Sequence, residues 1–135
     1  MTAMINKKIF FILVLFVLPV VLLAQETVST QIQKGLKLNN ADLIAPLFNE
    51  QVEMSILNKE DIFSATQAKN ILKNFLLKHK VKSYTLLHSG GKANVKYYIG
   101  NIDTEMGNYR VFFLLKSNES NNFKVYQFRI EEQKD

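Results

Sequence analysis

The sequence predicts a single α+β domain in which N-terminal helices pack on a curved, mainly antiparallel sheet. Three observations carry that expectation. Apolar residues recur at helical spacing, one short strand apart, as far as about residue 79. From about residue 82 the spacing changes to period two. The links between the later apolar runs, "SGGK", "TEMGN" and "SNESNN", are short and turn-like, so consecutive strands should form hairpins and an antiparallel meander. No internal repeat and no Pro-, Gly- or Ser-rich linker divides the chain.

The first residues read differently from the rest. Residues 1–24 open with a polar stretch carrying Lys7 and Lys8, continue as the apolar run Ile9–Ala24 interrupted by Pro19, and turn polar at "AQET". This is the layout of a secretory signal peptide cleaved after Ala24. A spanning helix needs about 20 apolar residues, whereas this run has 16 and contains a helix breaker. The expectation is therefore export to the periplasm or the medium, with residues 25–135 as the domain and no stable membrane span after cleavage. An uncleaved anchor is the alternative, because Leu22 stands at the −3 position where a small residue is preferred. The 135-residue chain has no cysteine, so neither a lipid attachment point nor a disulfide is available, and stability rests on the core.

Within the domain each element has its own signal. Val28, Ile32 and Leu36 mark a helix that ends in "KLNN", where Asn39 can stop one helix and Asn40 cap the next. The next helix, from Ala41 to about Phe48, contains Pro46, which predicts a kink or an early end. Val52, Met54 and Ile56 alternate with Glu53 and Ser55, a half-buried strand. Ser64 and Gln67 form a capping box for a helix over 64–79, Phe63 is placed to staple onto Ala68, and Ala68, Ile71, Leu72, Phe75 and Leu76 make one stripe. Four strands follow at about 82–89, 93–103, 108–117 and 123–131.

The third of these strands is apolar on both sides: Tyr109, Val111, Phe113 and Leu115 alternate with Arg110, Phe112 and Leu114. The neighbouring "VKYYIG" likewise sends Tyr97 and Tyr98 to opposite faces. An antiparallel sheet backed by helices on one side ordinarily shows a polar outer face. The second face should then be covered by sheet curvature, a second subunit or a ligand.

Helix, short helix, strand, long helix and meander is the order of the cone-shaped α+β fold of the nuclear-transport-factor-2-like superfamily. "NNADLIAPLFNEQVEM" resembles the start of that fold, and "ILKNFLLKHKVKSYTLLHSG", "KYYIGNIDTEMGNYRVFFLLK" and "VYQFRIEE" are similar to exported bacterial proteins grouped as domain-of-unknown-function family 4783. The resemblance covers nearly all of residues 28–132. It implies a signal peptide and the cone fold, but no activity. One departure is "KHKV", where the family tends to carry proline after the histidine; it bears on the loop and not on the fold. The wider superfamily includes isomerases and dehydratases with an Asp or His base, binding modules and dimeric scaffolds, and the fold does not choose among them.

The residues narrow the choice. Of the two histidines, His79 ends the long helix, where a cationic ring suits the negative end of the dipole. His88 shares a strand face with Tyr84 and Leu86 and could look into the cone. As a general base it would need an orienting partner. In a hairpin centred on "SGGK", however, His88 would pair near Ala93, ten residues short of Asp103. Arg110 and Arg129 are the only arginines, each inside an apolar strand. They read either as rim residues paired with Glu105, Glu131 or Glu132, or as a clamp for an acidic ligand. Tyr84, Tyr97, Tyr98, Phe112, Phe113, Tyr126 and Phe128 are core by default, with two or three lining a pocket. The ligand-binding candidates are thus Tyr84, His88, Tyr98, Arg110, Phe112 and Arg129.

Other chemistry finds little support. Removing residues 1–24 lowers the net charge from +5 to +3, and only Lys78, Lys80 and Lys82 cluster, which argues against nucleic acid. Two distant histidines and no cysteine give no metal-ligand spacing, and no glycine loop cradles a phosphate, so no cofactor is expected. "NES" at 118–120 matches a glycosylation sequon, a pattern too short to mean much. The expected function is non-enzymatic binding of a small, acidic molecule or a protein. The alternatives are a lyase or isomerase with His88 as base, and a homodimeric scaffold pairing through the sheet.

Overall fold

A computed structural model describes residues 27–118 and 122–134. The expected signal peptide lies outside the described residues, as do Glu119 and Ser120 of the "NES" tripeptide. Helix α1 spans Val28–Lys37, capped by the Thr27 hydroxyl, which accepts from the Thr30 amide at 3.2 Å, and it buries Ile32 and Leu36. It stops at Asn39, whose φ of 55° is left-handed. That side chain then acts like a short piece of strand: Nδ2 donates to the Val81 carbonyl at 3.0 Å and Oδ1 accepts from the Val81 amide at 2.8 Å. Asn40 caps α2, Ala41–Ile44, and Pro46 ends it in a 3-10 turn, Ala45–Leu47.

Strand β1, Phe48–Ile56, turns through Leu57 and Asn58 into β2, Lys59–Ser64. Helix α3, Ala65–Lys78, begins at the expected capping box, with the Gln67 amide donating to Ser64 Oγ at 3.2 Å and the Ser64 amide to Gln67 Oε1 at 3.1 Å. It buries Ala68, Leu72, Phe75 and Leu76. Then come β3, Val81–Lys92, β4, Val95–Thr104, β5, Gly107–Ser117, and β6, Phe123–Glu132. They form one six-stranded sheet in the order β2-β1-β6-β5-β4-β3, antiparallel throughout except for the parallel pair β1–β6. This is the expected α+β architecture with its mainly antiparallel sheet.

The helices cover one face, here called inner. Its core joins Ile32, Leu36 and Ile44 to Leu72 and Leu76, and to Met54, Ile102, Val111, Phe113, Phe128 and Ile130 of the sheet. Phe113 and Phe128, both 0% exposed, stack at 6.3 Å, and Phe48 meets Phe128 edge-on at 6.0 Å. Aromatic rings thus fill the centre of the cone.

Two expectations need correction. "SGGK" is not a turn: β3 continues to Lys92 and the chain reverses at Ala93 and Asn94, so His88 pairs with Ile99 rather than near Ala93. Asp103 pairs with Ser83, which still leaves it far from His88. Strand β2 was not anticipated, because all of its residues but Phe63 are exposed and no apolar alternation marks it.

Candidate functional site

Strand β3 decides where the candidate residues go. Tyr84 pairs with Ile102 and Leu86 with Gly100, both on the inner face. A β-bulge then inserts one residue, Leu87, so that His88 pairs with Ile99 on the outer face. His88 therefore does not share a face with Tyr84 or look into the cone, because a one-residue offset turns every later side chain over. The six candidates separate accordingly: Tyr84 and Tyr98 face inward, while His88, Arg110, Phe112 and Arg129 face outward.

On the outer face the strand registers align two rows across the whole sheet. One runs Glu60, Ser55, Arg129, Phe112, Ile99, His88; the other runs Ile62, Glu53, Gln127, Leu114, Tyr97, Gly90. Side-chain contacts knit them together. Gln127 Nε2 donates to Glu53 Oε2 at 3.0 Å, the Tyr97 and Phe112 rings lie 6.4 Å apart and nearly parallel, and the Tyr97 hydroxyl shares a 3.0 Å hydrogen bond with His88 Nε2. Tyr97 reaches His88 by passing over Gly90, where any Cβ would meet the tyrosine ring. Tyr97, Ile99, Phe112 and Leu114 are all half-buried and form an apolar band down β4 and β5.

The arginines share the outer face. Arg129 Nε lies 3.8 Å from Glu131 Oε1, and Glu131 stands opposite Arg110 in the β5–β6 register. Arg110 borders an open depression of about 780 Å³ that it shares with Leu57, Asn58 and the end of β6. His88 has no carboxylate partner among the described residues, and within those residues no group of three His, Cys, Asp or Glu side chains could hold a metal. His79, as expected, serves the helix end: it stacks on Phe75 at 4.3 Å and Nδ1 bonds the Phe75 carbonyl at 3.0 Å.

Tyr98 stacks on Phe113 at 5.0 Å, and Tyr84 lies over Gly100, 8% exposed. Burial pushes the Tyr84 hydroxyl up to about 12, and it has no hydrogen-bond partner among the described residues. Beside Tyr98 the mouth of the cone opens into a groove of about 630 Å³ between the start of α1 and the ends of β4–β6. Val28, Leu47 and Leu115 line it with Lys96, Phe123 and Lys124. Lys96 Nζ sits 4.7 Å over the Phe123 ring, and Lys124 Nζ donates to the Pro46 carbonyl at 2.9 Å. Sequence reasoning passed over Lys96, Phe123 and Lys124. The β4–β5–β6 meander brings them to one end of the sheet, with Lys96 opposite Leu115 and Leu115 opposite Val125, and α1 with the turn at Leu47 closes the groove over them.

None of the functionally curated proteins matches the chain. Among solved structures it is similar to a DUF4783 family protein of Bacteroides uniformis ATCC 8492, 24% identical with a TM-score of 0.76 over 81% of this chain and 100% of that one. It is also similar to one of Bacteroides ovatus ATCC 8483, 21% identical with a TM-score of 0.72 over 78% and 94%. A nuclear-transport-factor-2-like protein of unknown function from Shewanella baltica OS155 matches at 14% identity with a TM-score of 0.61, over 80% and 90%. These likenesses show the cone fold. The family model described as a domain of unknown function (DUF4783) matches residues 29–131, and the chain belongs to that family.

Proposed function

We propose that the chain is an exported, non-enzymatic binding domain that works through the outer face of its sheet, and that its partner there is a second copy of itself. The observation that carries this reading is the band of Tyr97, Ile99, Phe112 and Leu114 on the face opposite the helices. A solvated face of an antiparallel sheet is ordinarily polar, and a contiguous apolar patch marks an interaction surface. The filled centre of the cone supports the same reading, since it leaves the faces and the mouth to meet partners.

The charges flanking the band favour self-pairing. Glu53 and Glu60 stand on the β1–β2 side, while Lys92 stands on β3 at the other. A twofold axis through the band would bring each copy's acidic flank to the other's basic flank, the self-complementarity that an isologous interface requires. A stable pair buries at least about 1,000 Å².

Native mass spectrometry and sedimentation velocity on the chain purified after export from a Gram-negative host test this, and the measured mass also reports whether residues 1–24 are removed. The expected result is a dimer at about 50 μM, and a monomer for Phe112→Glu with unchanged circular dichroism. A wild-type monomer at that concentration overturns the reading. So does a dimer indifferent to Phe112→Glu.

A further inference from the structure

We propose that the groove at the mouth of the cone is a site for a small organic carboxylate with a compact apolar body. Its walls Tyr98, Leu115 and Phe123 face the inner side of the sheet, away from the Phe112 band, so it does not depend on pairing through the outer face. Charge is the first argument. Two lysines, Lys96 and Lys124, line the groove, and among the described residues its lining includes no aspartate or glutamate. Neither ammonium forms an ion pair within the described residues: Lys124 is held by the Pro46 carbonyl and Lys96 by the face of Phe123. Both contacts position a cation without neutralising it, so among the described residues the site is short of negative charge.

The rest of the lining gives the ligand its body. Val28, Leu47 and Leu115 with the rings of Tyr98 and Phe123 offer apolar surface beside the ammonium groups. Tyr98 is held against Phe113 at 5.0 Å, so that part of the wall is preformed. A volume of about 630 Å³ lies within the range of small-molecule sites. A purely ionic ligand such as sulfate would leave the apolar wall unused, and a neutral one would leave both cations unanswered. The combination fits an amphipathic monoanion.

Phenylacetate and its neutral isostere phenylacetamide separate the two contributions. Each is titrated into the exported chain and followed by the amide NMR signals of Tyr98 and Phe123. The expected result is saturable binding of phenylacetate with Kd on the order of 1 mM or tighter, with the amide at least about ten-fold weaker. Lys96→Gln and Lys124→Gln, both at solvent-accessible positions, should each weaken phenylacetate several-fold, and Phe112→Glu should leave it unchanged. Equal binding of acid and amide overturns the proposal, as does binding indifferent to both lysine variants. No shift of either signal up to about 10 mM phenylacetate overturns it as well.

Discussion

Tyr97 crosses Gly90 to reach His88, and Tyr84 lies in the same way over Gly100 on the other face of the sheet. Each glycine exists to make room for an aromatic ring on the neighbouring strand, which offsets the weakness of glycine in a strand. The two pairs differ in how far the ring can retreat. A Cβ at Gly90 would come within 2.6 Å of the Tyr97 hydroxyl oxygen, but that ring sits on the open face and can swing away. Gly90→Ala should therefore break the His88 contact at a cost below about 1 kcal/mol. At Gly100 the ring is buried, and Gly100→Ala should cost about 1–3 kcal/mol as overpacking. Denaturant midpoints of the two variants check the contrast, and the His88 ring signals report the lost bond.

Phe112 and Phe113 are adjacent in sequence and opposite in consequence. Phe113 is 0% exposed at the centre of the core, so Phe113→Ala should cost about 3–5 kcal/mol. Phe112 is half-buried on the outer face, and Phe112→Ala should cost about 1 kcal/mol in the monomer. Chemical unfolding at a concentration low enough to keep both variants monomeric measures the difference. Near-equal losses would mean that the two faces have been assigned wrongly.

Tyr84 should make stability fall at high pH. An unfolded chain ionises its tyrosine near 10.0 and the folded one near 12, so between these values the unfolded state holds fewer protons. The contribution is fully present below the unfolded value and is lost as pH rises through the folded one. Tyr84→Phe removes this slope, so the variant's advantage over the wild type should widen as pH rises from about 10 to about 12. At neutral pH the variant should be more stable by about 1 kcal/mol, because it removes a buried hydroxyl that has no partner among the described residues.

Asn39 combines a left-handed backbone with two hydrogen bonds to Val81, and two substitutions separate them. Asn39→Gly keeps the backbone geometry and loses the bonds, at about 1–3 kcal/mol. Asn39→Ala loses both and should be worse by a further ~1 kcal/mol. Thermal melts of the pair decide it: equal losses would mean that the backbone strain is released elsewhere.

What could be read from the sequence was whatever local chemistry dictates. The capping box at Ser64 and Gln67, the stop at Asn39 and the opposed tyrosines 97 and 98 follow from spacing alone, and each is where that spacing placed it. The glycines of "SGGK" misled because a glycine that makes room for a ring looks, in one dimension, like a glycine that makes a turn. The bulge at Leu87 was equally hidden, since period two continues on either side of it, and it moved His88 to the wrong face. The parallel β1–β6 pairing joins residues more than seventy positions apart, which no local pattern encodes. The mouth groove needs α1 and the turn at Leu47 to close over the ends of the meander, and that packing has no local signature.

Strand β3 ends the sheet, and beyond Val81, which Asn39 covers, its residues are the longest stretch of backbone lying along an open margin. Such a margin can recruit a strand from another molecule, which is how folded proteins begin to aggregate. The extra residue at Leu87 interrupts that margin part-way along, and exposed Lys82 and Lys92 stand near its two ends. The offset that reverses His88 thus also leaves the margin as two short lengths bordered by charge, a form less able to recruit a strand from another molecule.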